Sequence, residues 1–326
     1  SIKVTDKPSF DKIAADVNPA IPAPITKTFF FSIKMTKLTN NELSEICNHL
    51  GKSKIINIQK ISGGCINHSW RIEFTDSKFF LKKNERNQKL LKFEQYCLND
   101  LRKYINSQNI IIPKVIHYFE YENNEFLLLD WMNLNNFNQK KLGAGIAEIH
   151  LNSNKKKPNK FGYPVPGFIG TTRQLDGWEV NWVDCFIRLR IEPQLSLLKN
   201  GSFSIDLINR IISKIKDHLS DHDPMNCLIH GDLWSGNVST GKHEKGILFD
   251  PSCWWADSEI DIAMTRLFGG FTDDFYNEYF KIIKEKKGSN KRTTIYNFYH
   301  ILNHANMFGG NYINQVNNYI NLILNM

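Results

Sequence analysis

The chain has 326 residues, 41% of them hydrophobic, enough for a sizeable core and, by length, about two lobes. It contains no run of 18 or more apolar residues, which excludes a membrane-spanning helix and points to a soluble protein. The net charge of +8, from 41 Lys and Arg against 33 Asp and Glu, is spread in small groups such as Lys155 to Lys157. It carries no recognition motif, so it reads as a solvated surface and not as a nucleic-acid interface.

Six cysteines are scattered without a CxxC pair or zinc spacing, as expected of reduced thiols in a cytoplasmic protein. In chain order, residues 1–34 hold the Pro-rich run Asn18 to Pro24 and lack the basic start and apolar core of a signal peptide. They read as an N-terminal extension or an appended remnant, with Met35 as the natural start. Thr39-Asn40-Asn41-Glu42 supplies an N-cap and a capping-box acid for a short helix ending at Gly51.

Strands are expected over Ile55 to Ile61, Ser69 to Phe74 and Lys78 to Lys82, the first two joined by a loop holding Gly63, Gly64 and Cys65. Paired glycines let backbone amides approach a phosphate, although they also suit an ordinary hairpin turn. Alternation along Phe79 to Lys83 places Lys82 and Lys83 on opposite faces, so one of them must point into the core side. A helix over Gln88 to Ser107 follows, whose apolar stripe of Leu90, Leu91, Cys97, Leu98 and Leu101 also includes Glu94. A glutamate there needs a cation, and Lys82 is the candidate. Strands over Pro113 to Tyr118 and Phe126 to Met132 complete a small lobe of five strands and a helix, and residues 133–138 read as a hinge.

Beyond the hinge the chain turns helical around Leu142, Ile146, Ile149 and His150. The long Gly- and Pro-rich loop from Asn152 to Gly177 is a candidate substrate wall. Helices are expected over Trp182 to Leu198, kinked near Pro193, and over Ile205 to Leu219, and then a short strand over Cys227 to His230. That strand enters His230-Gly231-Asp232-Leu233-Trp234-Ser235-Gly236-Asn237, followed by Leu248-Phe249-Asp250-Pro251. An acid, an amide five residues on and a second acid after a strand are what phosphoryl transfer requires. Asp232 would accept the proton of an attacking hydroxyl, and Asn237 and Asp250 would hold Mg²⁺. Each residue alone suits a surface turn; Lys82, Glu94, Asp232, Asn237 and Asp250 in this order do not.

The run His230 to Asn237 resembles the signature of the fructosamine kinase (ketosamine-3-kinase) family, within the aminoglycoside phosphotransferase-like group of the protein-kinase-like fold. The likeness extends from about Gly63 to Gly310. It takes in Gly63 to Asn67, Phe79 to Lys82, Phe168-Ile169-Gly170 with Gly177-Trp178, Asp257 to Thr265, Leu267 to Phe271 and Tyr299 to His304. It implies an α+β, bilobal fold: an antiparallel five-stranded N-lobe with a helix over residues 35–132, and a mainly helical catalytic lobe over 133–326. It further implies ATP-dependent phosphorylation of the sugar 3-hydroxyl of ketoamines, after which the phosphate eliminates and frees the amine.

By position in that family, Gly63 and Gly64 would lie over the phosphates, Lys82 would hold them and Glu94 would orient Lys82. Asp130 and Met132 would offer backbone to adenine. His230, Trp234, Trp254 and Asp257 are substrate candidates, with Trp255 and Arg266, which depart from the family pattern, beside them. Asp257 and Glu259 are also read as capping the next helix, and Asp261 as pairing with the catalytic loop. His300 and His304 read as helix packing, since no third ligand completes a metal site. Cys65 is a candidate redox-sensitive thiol. The expected partner is a small ketoamine or a glycated protein, acted on by a monomer or weak homodimer. Other small hydroxyl compounds (aminoglycoside, choline, sugar) and a non-catalytic ATP-binding module are the alternatives.

Overall fold

The capping box of Thr39 opens the first ordered element of the computed structural model, which describes residues 37–61, 67–85, 88–134, 139–198 and 203–326. The Thr39 hydroxyl accepts from the Glu42 amide at 3.2 Å, and the Glu42 carboxylate accepts from the Thr39 amide at 2.9 Å, starting α1 (Asn40–Leu50). Gly51 ends it with φ of 61°. Then follow β1 (Asn57–Ile61), β2 (His68–Glu73), β3 (Lys78–Asn84), α2 (Leu90–Arg102), β4 (Ile110–Ile111), β5 (Val115–Tyr121) and β6 (Asn124–Asp130). Five of the strands form an antiparallel sheet in the order β1-β2-β3-β6-β5, as the expected small lobe requires. Gly63, Gly64, Cys65 and most of the expected hinge lie outside the described residues.

Both lysines of β3 are buried, where the alternation required only one. At β3 the sheet is covered on both faces, so neither lysine reaches water. Lys83 points toward α1, where its Nζ lies 2.8 Å from Glu42 Oε1 and 5.9 Å from the Phe126 ring centre, amid a core that includes Ile46, Trp70, Ile72, Leu81 and Leu128. Lys82 points the other way, toward α2. All six stripe residues of α2, Glu94 included, are buried as the spacing predicts, and the helix stops at Arg102, short of Ser107.

The second half begins with α3 (Gln139–Asn154) and continues through β7 (Phe161–Tyr163), β8 (Gly167–Ile169), β9 (Thr172–Gln174) and β10 (Gly177–Glu179). The long loop is therefore built of short paired strands. The expected helix over Trp182 to Leu198 is divided into α4 (Trp182–Phe186), a π-helical turn at Ile187–Ile191 and α5 (Glu192–Leu197). Pro193 has no N–H to donate, and the wider turn just before it takes up the change in hydrogen bonding. The turn buries Arg190, whose guanidinium stacks 4.1 Å from the Trp254 ring centre.

The remaining elements are α6 (Ile205–Leu219), β11 (Asn226–Ile229), β12 (Val238–Thr240), β13 (Gly246–Leu248), β14 (Trp254–Asp257), α7 (Glu259–Leu267), α8 (Asp273–Ile282), α9 (Ser289–Phe308) and α10 (Asn311–Leu324). A mixed sheet β12-β13-β4 draws Ile110 and Ile111 against Gly246 and Ile247, and β10-β7-β14-β11 backs the following strand. Among the described residues no helix is long and apolar enough to cross a membrane.

Two consequences follow from the buried polar groups. Glu42→Gln should leave Lys83 without its closest anion and cost about 3 kcal/mol in urea unfolding, whereas Glu42→Leu with Lys83→Met should recover most of that loss. His300 is fully buried, and among the described residues neither ring nitrogen has a hydrogen-bond partner; burial holds its pKa down to about 3. The unfolded chain protonates this imidazole near its ordinary 6.5, so between there and about 3 unfolding takes up a proton and stability falls as pH falls. His300→Phe should therefore lose less stability than the native protein between pH 7 and pH 5, by about 1 kcal/mol or more in denaturant titrations.

Candidate active site

Lys82 on β3 sits where three parts of the chain meet. Its Nζ is 2.7 Å from Glu94 Oε1 on α2 and also pairs with Asp250 Oδ1 at the end of the β13 strand. Burial alone would lower the lysine pKa, but the Asp250 and Glu94 carboxylates more than reverse this and keep the ammonium charged. Burial pushes the Glu94 carboxyl up, with Lys82 drawing it back toward the ionised form.

The catalytic-loop candidate follows β11. Gly231 has φ of 81°, and a Cβ there would lie 2.1 Å from the Ser252 carbonyl, so no side chain fits where the protein-kinase motif has arginine. Two buried amides at the loop entrance, those of His230 and Gly231, donate to Asp261 on α7 at 2.7 and 2.8 Å. Asp261 thus pairs with the loop as expected, and it is held in turn by His150 Nε2 at 3.0 Å. Burial would raise its carboxyl, but His150 and the loop hold it below the usual carboxylate range. His150 bonds to the Tyr279 hydroxyl at 2.9 Å through its other nitrogen. In the sequence His150 is only one member of an apolar helix face, and nothing there signals this supporting role.

Asp232 and Asn237 come together directly. Asn237 Nδ2 donates to both Asp232 Oδ2 and the Asp232 carbonyl at 2.9 Å. Burial pushes the Asp232 carboxyl up to about 7; the Asn237 hydrogen bond opposes this, and Asp250 and Asp261 add to it. The Asn237 carbonyl accepts from the Phe249 amide at 3.1 Å, and the His230 carbonyl from the Ser252 amide at 2.8 Å, so the loop and the Asp250 turn are laced together. Asp250 has φ of 55° and a side chain 45% exposed, turned out of the strand. The Asn237 Nδ2 is engaged on Asp232, which leaves Asn237 Oδ1 and the Asp250 carboxylate as hard oxygen donors suited to Mg²⁺.

The other substrate candidates are placed differently. His230 is 1% exposed, with Nε2 bonded to the Phe249 carbonyl at 3.1 Å and Nδ1 accepting from the Asp232 amide at 3.3 Å; it shapes the loop and has no face for a ligand. Trp254 is fully buried between Arg190 and Trp182. Asp257 is 1% exposed and bonds to His222 Nε2 and the Tyr296 hydroxyl, each at 2.7 Å. Trp255 packs on Tyr104, and Arg266 lies against Tyr276, Phe280 and Glu285. The substrate candidates Trp254 and Asp257 are therefore core and helix support, because β14 lies inside its sheet.

Trp234 is partly open, as Trp255 and Arg266 also are, its ring lying across Gly236, where a Cβ would meet it at 2.1 Å, and edge-on to Phe268. Of the two adenine-facing candidates, Asp130 has its amide engaged, donating to the Lys114 carbonyl at 3.0 Å, and its carboxylate accepts from the Lys114 amide; Met132 lies just beyond the end of β6. Tyr299, which sequence reasoning gave no role, lies close enough to Asp232 for that carboxylate to help raise its hydroxyl pKa, after burial, to about 12. Its hydroxyl accepts from Gln174 Nε2 at 2.6 Å.

One further acidic group, His222 with Asp257 and Glu259, has the spacing of a metal site among the described residues. Arg292 already grips both Glu259 oxygens at 2.6 and 2.8 Å, so the positive charge there is a guanidinium. The cluster anchors the start of α7.

A probable ketoamine kinase of Vibrio parahaemolyticus is 37% identical over 269 residues, covering 81% of this chain and 91% of that one. A solved relative from Haemophilus somnus 129PT, 28% identical, superposes with a TM-score of 0.76 over 86% of this chain and 96% of its own. An aminoglycoside phosphotransferase solved with ADP and hygromycin B shares the fold at a TM-score of 0.59 and 11% identity, over 86% of this chain and 97% of that one. The protein-kinase-like fold expected from the catalytic-loop signature is thus observed. The fructosamine kinase family model matches residues 35–326, the stretch that brings Lys82, Glu94, Asp232, Asn237 and Asp250 together, and the chain belongs to that family.

Proposed function

We propose that the protein transfers the γ-phosphoryl group of ATP to the 3-hydroxyl of a ketoamine sugar. The observation that carries this reading is the meeting of Asp232 and Asn237 with the Lys82–Glu94–Asp250 ion cluster. ATP would lie between the lobe ending near Met132 and the lobe from residue 133, with Lys82 on its phosphates. Asn237 and Asp250 would hold Mg²⁺, which supplies neutralisation of charge on the phosphate oxygens when bound.

Asp232 is positioned by Asn237 so that one carboxylate oxygen faces the incoming hydroxyl. The hydroxyl proton passes to Asp232 as the new O–P bond forms and the bond from the γ-phosphorus to the bridging oxygen breaks, releasing ADP. A carboxyl raised by burial is a better proton acceptor than a solvated one. Lys82, kept charged in a buried site, is suited to hold phosphate without a large rearrangement of solvent. The resulting sugar 3-phosphate can eliminate phosphate next to the ketone and free the amine.

Asp232→Asn should lower ketoamine-dependent ADP release by about 10²–10⁴-fold while nucleotide binding, read by calorimetry, changes little. Turnover within a few-fold of native would overturn the role given to Asp232. Chelation with EDTA should abolish turnover and added Mg²⁺ should restore it; Asp250→Ala should raise the Mg²⁺ concentration needed for half-maximal rate at least tenfold. Full activity in EDTA would remove the metal from this reading.

A further inference from the structure

The run Leu267 to Phe271, between α7 and α8, meets the catalytic loop at two points. The Phe268 ring lies edge-on to Trp234, 6.4 Å centre to centre. Gly270, with φ of 88°, backs directly onto Ser235: a Cβ there would lie 2.6 Å from the Ser235 Cβ and 2.8 Å from its Oγ. A Cβ is fixed to its own backbone and cannot rotate aside, so a side chain at 270 would displace the loop itself. Gly269, next to it, has a similar φ of 71°, yet a Cβ there would meet nothing within 4 Å.

Gln139 holds this turn in place. It is the first residue of α3 and is 5% exposed. Its Nε2 donates to the Gly270 carbonyl at 2.8 Å, and its Oε1 accepts from the Thr272 amide at 2.6 Å and from the Thr272 hydroxyl at 3.3 Å. A buried carboxamide with both ends engaged on one turn fixes the position of that turn. Ser235 in its turn opens the 3₁₀ turn Ser235–Asn237, closed by the Asn237 amide on the Trp234 carbonyl at 2.9 Å, and Asn237 Nδ2 holds the Asp232 carboxylate. The contacts therefore run from Gln139 through Gly270 and Ser235 to Asn237 and Asp232.

We propose that Gln139 is a positioning residue for phosphoryl transfer: it holds the Gly270 turn against Ser235 as a backstop and so keeps Asn237 and Asp232 in their reacting geometry. The proposal rests on the phosphoryl-transfer reading above. Such geometry is demanding, since a misplacement of about 1 Å costs up to about 10²-fold in rate.

The test measures ADP release with fructosyl-lysine and ribulosyl-lysine as acceptors. Gly270→Ala should lower kcat about tenfold or more, with the KM for ATP within about threefold of native. Gly269→Ala, which meets the same backbone cost without the collision, should lower the melting temperature alone. Adding Ser235→Gly to Gly270→Ala removes the colliding atoms and should bring kcat back to within about threefold of the Ser235→Gly single variant. Gln139→Leu, similar in size but unable to bond the turn, should lower kcat about fivefold or more. Equal loss of kcat in the two alanine variants, no recovery in the double variant, or native kcat in Gln139→Leu overturns the proposal. If the native protein phosphorylates neither acceptor, the ketoamine reading fails on its own, and the backstop is decided by hydrogen exchange of the peptide covering residues 234–240. Faster exchange in Gly270→Ala and Gln139→Leu but not in Gly269→Ala supports it, and equal exchange in all three overturns it.

Discussion

A lysine enclosed by the sheet, α2 and the Asp250 turn is the constraint on which the rest of the site depends. Lys82 cannot remain charged in that setting without anions, and it draws them from Glu94, 12 residues away, and Asp250, 168 residues away. That requirement ties β3, α2 and the second half of the chain to one point. It also holds the ammonium against the Asp250 carboxylate, whose side chain is partly exposed. The cluster that satisfies a buried charge is the same one proposed above to meet the nucleotide.

The catalytic loop is held by its backbone. Asp261 takes the amides of His230 and Gly231, and the Ser252 and Phe249 amides of the Asp250 turn donate to the carbonyls of His230 and Asn237. Backbone anchoring leaves the Asp232 and Asn237 side chains to bind each other and whatever lies above them. The glycine at 231 belongs to this arrangement, since the Ser252 carbonyl occupies the space a side chain would need. His150, Asp261 and Tyr279 form a buried polar chain beneath the loop, and such chains hold orientation well because an unpaired polar group costs more in a buried setting than in water.

Around this centre the second half of the protein divides its aromatic residues between two settings. Trp254, Trp182, Phe186 and Tyr296 pack together and enclose the Arg190 guanidinium, which makes a rigid floor. Trp234, Phe308 and Tyr312 stay partly or largely open. Residue type alone does not separate the two groups. The difference is the position on the element: Trp254 lies inside its sheet and Trp182, Phe186 and Tyr296 on buried helix faces, whereas Trp234 is in a loop and Phe308 and Tyr312 are at helix ends.

The sequence by itself determined most of the order of elements and which residues are proposed to react. Capping at Thr39, alternation in β3, the apolar stripe of α2 and the spacing from Asp232 to Asn237 are local signals, set by backbone geometry over a few residues. The Lys82–Glu94 pairing was also legible, because a glutamate in an apolar stripe demands a cation. What only the tertiary structure decided was which side of each element met solvent. Trp254, Asp257 and His230 look like binding residues in a list and are buried in the fold, because β14 lies between two other strands and Asp261 draws the loop inward. Arg190, His150, Tyr299 and the second buried lysine, Lys83, acquired their roles in the same way. Each is defined by partners distant in the chain, and no local pattern records which distant surfaces will meet.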